Sequence, residues 1–206
     1  MSAAFDSIHE RYVKSRRLLV LRDRLDELLP ERGQILDIGT GDGNLAYSLM
    51  YKRKLRRITG IDTLVREDTP IPVKEFGGLQ IPYEDDSFDC AMFVDVLHHT
   101  NDPVKLLMEA ARVSRDCVVI KDHLREGVLA GQTLRFMDGV GNRRFGVELP
   151  YNYLNRQEWN SAFAAAGLRI EVWTTRLELY PWWADWAFGR KLHFIARLKK
   201  VEGTGQ

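Results

Sequence analysis

The stretch Ile35–Asn44, which reads ILDIGTGDGN, decides how this chain folds. It contains the end of an apolar strand, 34–38, and then three glycines at alternate positions before a segment, 44–54, with helical periodicity. Glycine adopts positive φ angles at little cost and lets a ligand approach the backbone. The free amides at the start of the following helix favour an anionic group, either a phosphate or an amino-acid carboxylate. The stretch therefore predicts a strand, a turn and a helix that bind one of two ligand classes.

Strands and helices alternate outward from this turn. An amphipathic helix at 7–29 precedes it, and four apolar strands follow, at 57–62, 73–76, 88–95 and 117–121, with a helix at 103–114. Strands that alternate with helices form a parallel sheet that is covered on both faces. Beyond residue 123 we predict helices at 128–139 and 156–166, a loop at 141–155, and antiparallel strands at 168–179 and 192–198. We expect an α/β fold, a doubly wound, mostly parallel seven-stranded sheet with a C-terminal antiparallel strand.

Length and charge restrict the function classes. The 206 residues suit one domain, and 30 basic against 29 acidic residues create no field that would draw the chain onto nucleic acid. Cys90 and Cys117 lie in apolar strands and are expected to be buried, reduced thiols. The first 17 residues lack the apolar core of a signal peptide, and no segment has the length of a membrane span. We expect a cytoplasmic protein with no nucleic-acid partner.

The spacing of the glycines separates the two ligand classes. A dinucleotide fingerprint, G-x-G-x-x-G, would need a third glycine where Asn44 stands if it is counted from Gly39. This departure weakens the interpretation as an NAD-dependent oxidoreductase. Asp62 ends the second strand 19 residues after Gly43 and is placed to accept hydrogen bonds from ribose hydroxyls, which suits both nucleotide families.

Four segments resemble a known family. The spacing D-x-G-x-G-x-G at 37–43 resembles the nucleoside-binding loop of class I S-adenosylmethionine-dependent methyltransferases. The segments IPYEDDSFD at 81–89, VDVLHH at 94–99 and NDP at 101–103 are similar to L-P-F-x-D-x-S-F-D, V-L-H-H and D-P of the ubiquinone/menaquinone-type branch, the type 11 methyltransferases. The resemblance spans residues 30 to 125. It implies a Rossmann-like methyltransferase fold and methyl transfer from S-adenosylmethionine to oxygen, nitrogen or carbon of a small metabolite, apolar ones included.

The resemblance also implies a division of the chain and a set of cofactor-binding residues. The single methyltransferase domain, 1–206, would comprise the N-terminal helix 7–29, a cofactor half 34–123, a lid and substrate-side insert 124–155, and C-terminal helix and strands 156–200. The residues expected at the cofactor are Tyr12, Asp37, Gly39, Thr40, Gly41, Asp62, Gly78, Leu79, Val94 and Asp95. Gly77 departs from the family pattern because relatives carry an acid there beside the adenine. The adenine amino group would then need a backbone carbonyl or Gln80.

The chemistry is expected at the carboxyl ends of the strands, where ligands bind in doubly wound sheets. His98 follows the fourth strand and was expected to face the cofactor or substrate, while His99 would pack or cap the helix. Asp122 and His123 follow the fifth strand, where the alternative is a solvated strand end. Alignment can drive methyl transfer alone, but a hydroxyl, phenol or acidic carbon acceptor gains from a base. We assign His98, His123 and Asp122 as catalytic and expect no metal, because adjacent histidines lack ordinary ligand spacing.

The later part of the chain offers aromatic segments. Arg143, Tyr151 and Tyr153 are predicted to bind the substrate, since a loop needs no aromatic and basic surface merely to connect helices. Trp182, Trp183 and Trp186 precede basic residues and suit a peripheral membrane contact, an apolar pocket, a packed loop or a homodimer interface. A monomer and a homodimer both remain open. So does a third function, a non-catalytic cofactor-binding subunit.

Overall fold

A mostly parallel sheet forms the centre of the molecule. The computed structural model describes residues 16–135, 151–179 and 191–201. Within these ranges the sheet has seven strands: β1 (Gly33–Ile38), β2 (Arg56–Asp62), β3 (Val73–Glu75), β4 (Phe88–Val94), β5 (Ser114–His123), β6 (Leu168–Thr174) and β7 (His193–Lys200). The described helices are α1 (residues 16–28), α2 (Asn44–Lys52), α3 (Pro103–Val113), α4 (residues 130–135) and α5 (Arg156–Ala165), with a 3-10 turn at Leu97–His99.

The strand order creates a crevice beside β1. The order is β3-β2-β1-β4-β5-β7-β6; β1 to β5 run parallel, and β7 is antiparallel to both β5 and β6. After β1 the chain builds outward through β2 and β3, and it then returns to build the other half through β4 and β5. A doubly wound sheet binds ligands at this point of reversal. The predicted fold class, including the antiparallel end of the sheet, is confirmed.

Alternating side chains on β1 divide the core into two layers. Leu36 and Ile38 face one layer and Ile35 faces the other, as expected for a strand with helices on both sides. The first layer contains apolar residues of α3 and α5, and the second contains those of α1 and α2. Cys90 and Cys117 are buried free thiols, as expected. In the described part of the chain, no helix has the length and apolar character needed to span a membrane.

Some element boundaries differ from the predicted ones. β5 extends from Ser114 to His123 rather than over 117–121, because its charged end residues find partners on neighbouring strands. β6 ends at Thr174, although the buried Leu177 and Leu179 continue the apolar alternation that predicted a strand to 179. Of the predicted helix 128–139, residues 130–135 are helical and 136–139 lie outside the described residues. The predicted first helix, 7–29, is described from residue 16.

Candidate functional site

A cavity of about 460 Å³ opens at the point where the strand order reverses. Its walls come from the turn after β1, the loops after β2 and β3, and the segment after β4. The polar side chains in these walls are Asp62, Thr63, Arg66, Asp95, His99, Thr100 and Asn101. Phe76, Leu79, Val96 and Leu106 add apolar surface, so the cavity suits a ligand with both polar and apolar parts.

The glycine turn brings the end of β1 against its neighbours. Gly39 has a φ of 73°, and a Cβ atom there would lie 2.5 Å from the Val96 side chain, so no other residue fits without movement. Its N–H donates to the Ile61 carbonyl at 2.8 Å. The Gly41 N–H donates to the Asp62 carboxylate, also at 2.8 Å. The turn is therefore tied directly to the acid at the end of β2.

Two carboxylates beside the turn have different environments. Asp62 lines the cavity, and its other oxygen accepts the Leu64 N–H at 3.0 Å, so its orientation is fixed from two sides. Asp37 lies behind the turn and accepts the Thr40 hydroxyl at 2.5 Å. Burial, aided by the nearby charge of Asp62, raises the pKa of Asp37 to about 7. Asp37 is therefore a structural acid at the base of the turn, while Asp62 faces the cavity.

Asp95 leaves β4 with a φ of 58° and lies on the cavity wall between two cations. One carboxylate oxygen forms an ion pair with the Arg17 guanidinium of α1 at 2.6 Å, and the other contacts the fully buried ammonium of Lys121. Burial acts to raise the pKa of Asp95, but Lys121 and Arg17 hold it well below its usual range. The carboxylate therefore stays charged although it is largely removed from water.

A cluster of buried histidines lies next to this ion pair. The His98 Nδ1 atom is 2.6 Å from an Asp122 carboxylate oxygen, and the His123 Nδ1 atom is 3.2 Å from the His98 Nδ1 atom. Asp122 also accepts the N–H groups of His123 at 2.6 Å and of Leu97 at 2.9 Å. Burial opposes the charge of Asp122, but His98 and these hydrogen bonds hold its pKa well below the usual range. An ionised Asp122 fixes the proton of His98 on Nδ1 and leaves a lone pair on Nε2.

Further side chains enclose the histidines. The Tyr153 ring stacks against His98 with centroids 5.7 Å apart, and the Asn152 N–H donates to the His98 carbonyl at 3.1 Å. His193 opens β7 beside His123, and its Nδ1 atom is 3.4 Å from the Lys121 ammonium. Burial lowers the pKa of both His123 and His193, so both are neutral at pH 7. The alternative of a solvated strand end for Asp122 and His123 is wrong, because both side chains are buried.

The structure brings some predicted residues to the cavity and others behind its wall. Those on the wall are Gly39, Asp62, Gly78, Leu79 and Asp95; Asp37, Thr40, Gly41 and Val94 adjoin it through the turn and β4. His99 lines the cavity, whereas His98 is 1% exposed and lies behind it, with the two ring centroids 3.8 Å apart. Tyr12, Arg143 and the three tryptophans, Trp182, Trp183 and Trp186, lie outside the described residues.

Sequence reasoning missed Arg17, Arg66, Lys121 and His193. The sequence indicated only that His193 lies at the start of an antiparallel strand. Its position beside the other histidines depends on the strand register, which pairs His193 with His123. Lys121 was taken as the last residue of a strand, and its charged partner Asp95 comes from the neighbouring strand. Arg17, Lys121 and His193 acquire their positions from pairings between distant segments.

Two groups of these side chains have the spacing of metal ligands. His98, Asp122 and His123 form one, and Asp95, His123 and His193 form the other, with ligand atoms in each within 4.8 Å of one another. His98 and Asp122 already bind each other through a hydrogen bond of 2.6 Å. The ammonium of Lys121 contacts two members of the second group and would repel a cation. The arrangement therefore favours proton chemistry over metal binding.

Comparison with known proteins gives a consistent result. A family model described as a methyltransferase domain matches residues 9–172. The chain is 30% identical over 110 residues, 46% of its length, to the 27-O-demethylrifamycin SV methyltransferase of Amycolatopsis mediterranei. It is 34% identical over 93 residues, 40% of its length, to the ubiquinone/menaquinone biosynthesis C-methyltransferase UbiE of Bdellovibrio bacteriovorus. In both cases it spans 40% of the relative's own length.

The fold comparison covers more of the chain. A structure described as a complex between the Haloferax volcanii Trm112 methyltransferase activator and a methyltransferase matches with a TM-score of 0.70 at 15% identity, over 94% of this chain and 93% of that one. At this identity the match concerns the fold alone. None of these matches supports the nicotinamide oxidoreductase or the non-catalytic subunit.

Proposed function

Because the chain belongs to the class I S-adenosylmethionine-dependent methyltransferase family, we propose that it methylates the hydroxyl group of a small molecule, with His98 as general base. His98 is chosen as the base because it forms a 2.6 Å hydrogen bond with Asp122. Both side chains are buried directly behind the cavity wall. A hydroxyl or phenol acceptor must lose its proton during methyl transfer, whereas an unprotonated amine needs no base to attack. The histidine and carboxylate therefore favour oxygen among the three acceptor atoms.

The cavity fits the cofactor of this family. The anchored carboxylate of Asp62 would accept hydrogen bonds from the ribose hydroxyls, and the turn at Gly39 and Gly41 would lie against the methionine part. The wall formed by Phe76 to Leu79 would cover the adenine, and a Cβ at Gly77 would meet no described atom within 4 Å. Once bound, S-adenosylmethionine supplies an electrophilic methyl group on its sulfonium.

The residues behind the wall would handle the proton. Neutral His98 takes the acceptor proton on Nε2 while its Nδ1–H remains bonded to Asp122, and the carboxylate stabilises the resulting imidazolium. His98 is buried and its ring stacks against Tyr153, so we propose that the segment 151–155 moves to admit the acceptor. Tyr151 and Tyr153, with Arg143 from outside the described residues, are proposed to contact the acceptor, and His123 to support His98.

The test is methyl transfer from labelled S-adenosylmethionine to a panel of hydroxylated small molecules. At saturating cofactor, His98→Ala and Asp122→Asn are expected to lower kcat by about 10²- to 10⁴-fold, the usual contribution of a general base. Asp116→Asn is the matched control, because it removes a carboxylate from the opposite end of the same strand, β5. If His98→Ala and Asp122→Asn both keep the full rate, catalysis depends on the alignment of the reactants alone. Transfer only to amines or carbon acids would refute the oxygen assignment.

The domain organisation, the location and the partners of the protein are also proposals. We propose that residues 1–206 form a single domain, that the protein acts in the cytoplasm as a monomer or homodimer, and that it has no nucleic-acid partner. The tryptophans at 182, 183 and 186 are proposed to contact a membrane surface or an apolar ligand.

A further inference from the structure

Exposed aromatic and aliphatic side chains follow one another along the outer face of α2, and the proposed reaction does not use them. Tyr47 and Tyr51 lie four residues apart on the helix, with 48% and 78% of their area exposed. Leu55, just beyond the end of the helix, is 66% exposed. Single exposed apolar residues are ordinary, but a row of them marks an interaction site. We refer to these three residues as the α2 stripe.

The end of the α2 stripe that lies beyond the last turn of the helix is basic. Arg57 donates to the Lys54 carbonyl at 2.9 Å, which holds the two side chains in one place. Arg32 is their neighbour, because the next residue along the chain donates its N–H to the Leu55 carbonyl at 3.2 Å. The nearby acid Glu31 faces another arginine at 3.9 Å. Among the described residues, none forms an ion pair with Arg32, Lys54 or Arg57, so this end has an excess of positive charge.

The opposite end of the α2 stripe, at the start of the helix, is acidic. Asp42 precedes α2 and is half-buried, whereas Glu67 and Asp68 are exposed in the loop that follows β2. This loop reaches the start of α2, since a Cβ atom on the N-cap glycine would lie 3.1 Å from Ile71. Arg66, the cation of the same loop, lies on the cavity wall. The three acids form no ion pair within the described part of the chain, so this end has an excess of negative charge.

We infer that the α2 stripe is the interface of a homodimer in which the α2 helices of two copies of the chain pack antiparallel. A two-fold axis then passes between Tyr47 and Tyr51, and the apolar residues of one copy pack against those of its partner. The basic end of each copy meets the acidic end of the other, whereas a parallel arrangement would bring like charges together. An anionic membrane or a nucleic acid would be repelled by the acidic end. A second copy of the chain is therefore the occupant that matches both ends.

The extent of the stripe determines how tight the dimer is. α2 has nine residues, which makes it about 14 Å long, so the interface is smaller than the standard size of about 800 Å² per partner. We expect a dissociation constant on the order of 10 µM. In sedimentation velocity, the mass of the wild type should rise from one chain towards two as its concentration increases. Salt at about 1 M should shift the equilibrium back to the monomer, because it screens the opposite charges.

Two charge-reversed variants test the pairing itself. Lys54→Glu with Arg57→Glu makes both ends of the stripe acidic, and Glu67→Lys with Asp68→Lys makes both ends basic. Each variant alone should be monomeric, since like charges would meet at both ends. An equal mixture of the two should recover the dimer, because every contact between unlike variants again joins opposite charges. Tyr51→Ala changes no charge and should weaken the wild-type dimer by about 10-fold.

Arg169→Glu with Arg176→Glu is the matched control, because it reverses two exposed charges at and just beyond β6, the opposite edge of the sheet. It should dimerise like the wild type, and circular dichroism checks that every variant is folded. A wild type that stays monomeric at about 1 mM, or a mixture that stays monomeric, would overturn the inference. A mass that grows beyond two chains would show head-to-tail association and refute the two-fold arrangement. No cofactor or substrate is present, so the outcome is independent of the proposed reaction.

Discussion

Asp62 is the residue that joins the glycine turn to the cavity, and its replacement tests the cofactor site directly. In Asp62→Ala the ribose hydroxyls lose their acceptor and the Gly41 amide loses its partner. We expect the affinity for S-adenosylhomocysteine to fall by about 1 to 3 kcal/mol, measured by calorimetric titration. Asp68→Ala, an exposed acid in the loop that follows β2, should bind normally. Unchanged affinity in a folded Asp62→Ala variant would contradict the assignment.

Substitutions at Gly39 and Gly41 are expected to differ in their effects on stability and on cofactor binding. In Gly39→Ala the new methyl group would lie 2.5 Å from Val96, and the overpacking should lower stability by about 1 to 3 kcal/mol. At Gly41 a Cβ would meet only the Arg66 side chain, at 3.9 Å. Because Gly41 has a φ of 62°, valine is strained there although it meets no clash, so Gly41→Val should fold with lowered stability and lose cofactor binding. Melting curves and titrations of both variants check this, and normal binding by Gly41→Val would place the cofactor elsewhere.

At this scale the sequence predicted which residue types gather at the site but not which of two neighbours turns inward. His98 and His99 are consecutive in a 3-10 turn, and either ring could have faced the cavity. The choice depends on Asp122, which comes from β5 and takes the His98 side chain into the interior. Local spacing contains no information about such a partner.

At the scale of elements, apolar runs predicted the central strands because both faces of the sheet are covered and few polar residues interrupt β1 and β4. The limits of β5 could not be predicted in the same way. The Asp116 carboxylate of β5 is bound by Arg197 and Lys199 of β7. The last two residues of β5, Asp122 and His123, contact His98 and His193. A charged residue in a sequence normally indicates the end of a strand. Asp116 lies within β5 because its cationic partners come from β7, about 80 residues later in the chain.

The buried ion pair of Asp26 and Arg56 fastens α1 to β2. The guanidinium is fully buried, lies 2.7 Å from the Asp26 carboxylate and also donates to the Pro30 carbonyl. Asp26→Ala would leave this charge without its carboxylate, and we expect a loss of about 3 to 5 kcal/mol in the free energy of unfolding. Urea denaturation measures it.

The control for this pair is Glu27→Ala, which removes the next acid on α1. Its carboxylate is mostly exposed and lies 3.9 Å from Arg24. An exposed pair of this kind contributes less than about 1 kcal/mol. Equal losses in the two variants would mean that helix content, rather than the buried pair, determines the result.

At the scale of the whole molecule, Asp37 makes stability depend on pH. Burial raises its pKa in the folded state to about 7 from the ordinary value of 3.8. Between these values the unfolded chain has released the proton and the folded chain retains it, so the free energy of unfolding falls as pH rises. Above pH 7 the folded chain has also released this proton, so Asp37 no longer changes the free energy of unfolding with pH.

Asp37→Asn removes this titration and keeps an acceptor for Thr40. Relative to the wild type, the variant should gain on the order of 3 kcal/mol between pH 5 and pH 8, because each pKa unit is worth about 1.4 kcal/mol. Urea denaturation of the protein without cofactor, at both pH values, gives the difference. A stability difference that is the same at pH 5 and pH 8 would show that Asp37 holds no proton in the folded state.

The place of β7 in the sheet has a consequence for synthesis on the ribosome. β6 is made first, yet within the described sheet its pairing partner is β7, and β7 also pairs with the outer edge of β5. While residues 193–200 are still inside the exit tunnel, β6 cannot join the sheet and β5 presents an open edge. His193 is also missing from beside His123 during that interval. The nascent chain therefore emerges with its glycine turn and first five strands able to assemble, while the histidine cluster is completed only by a strand translated some 70 residues after β5.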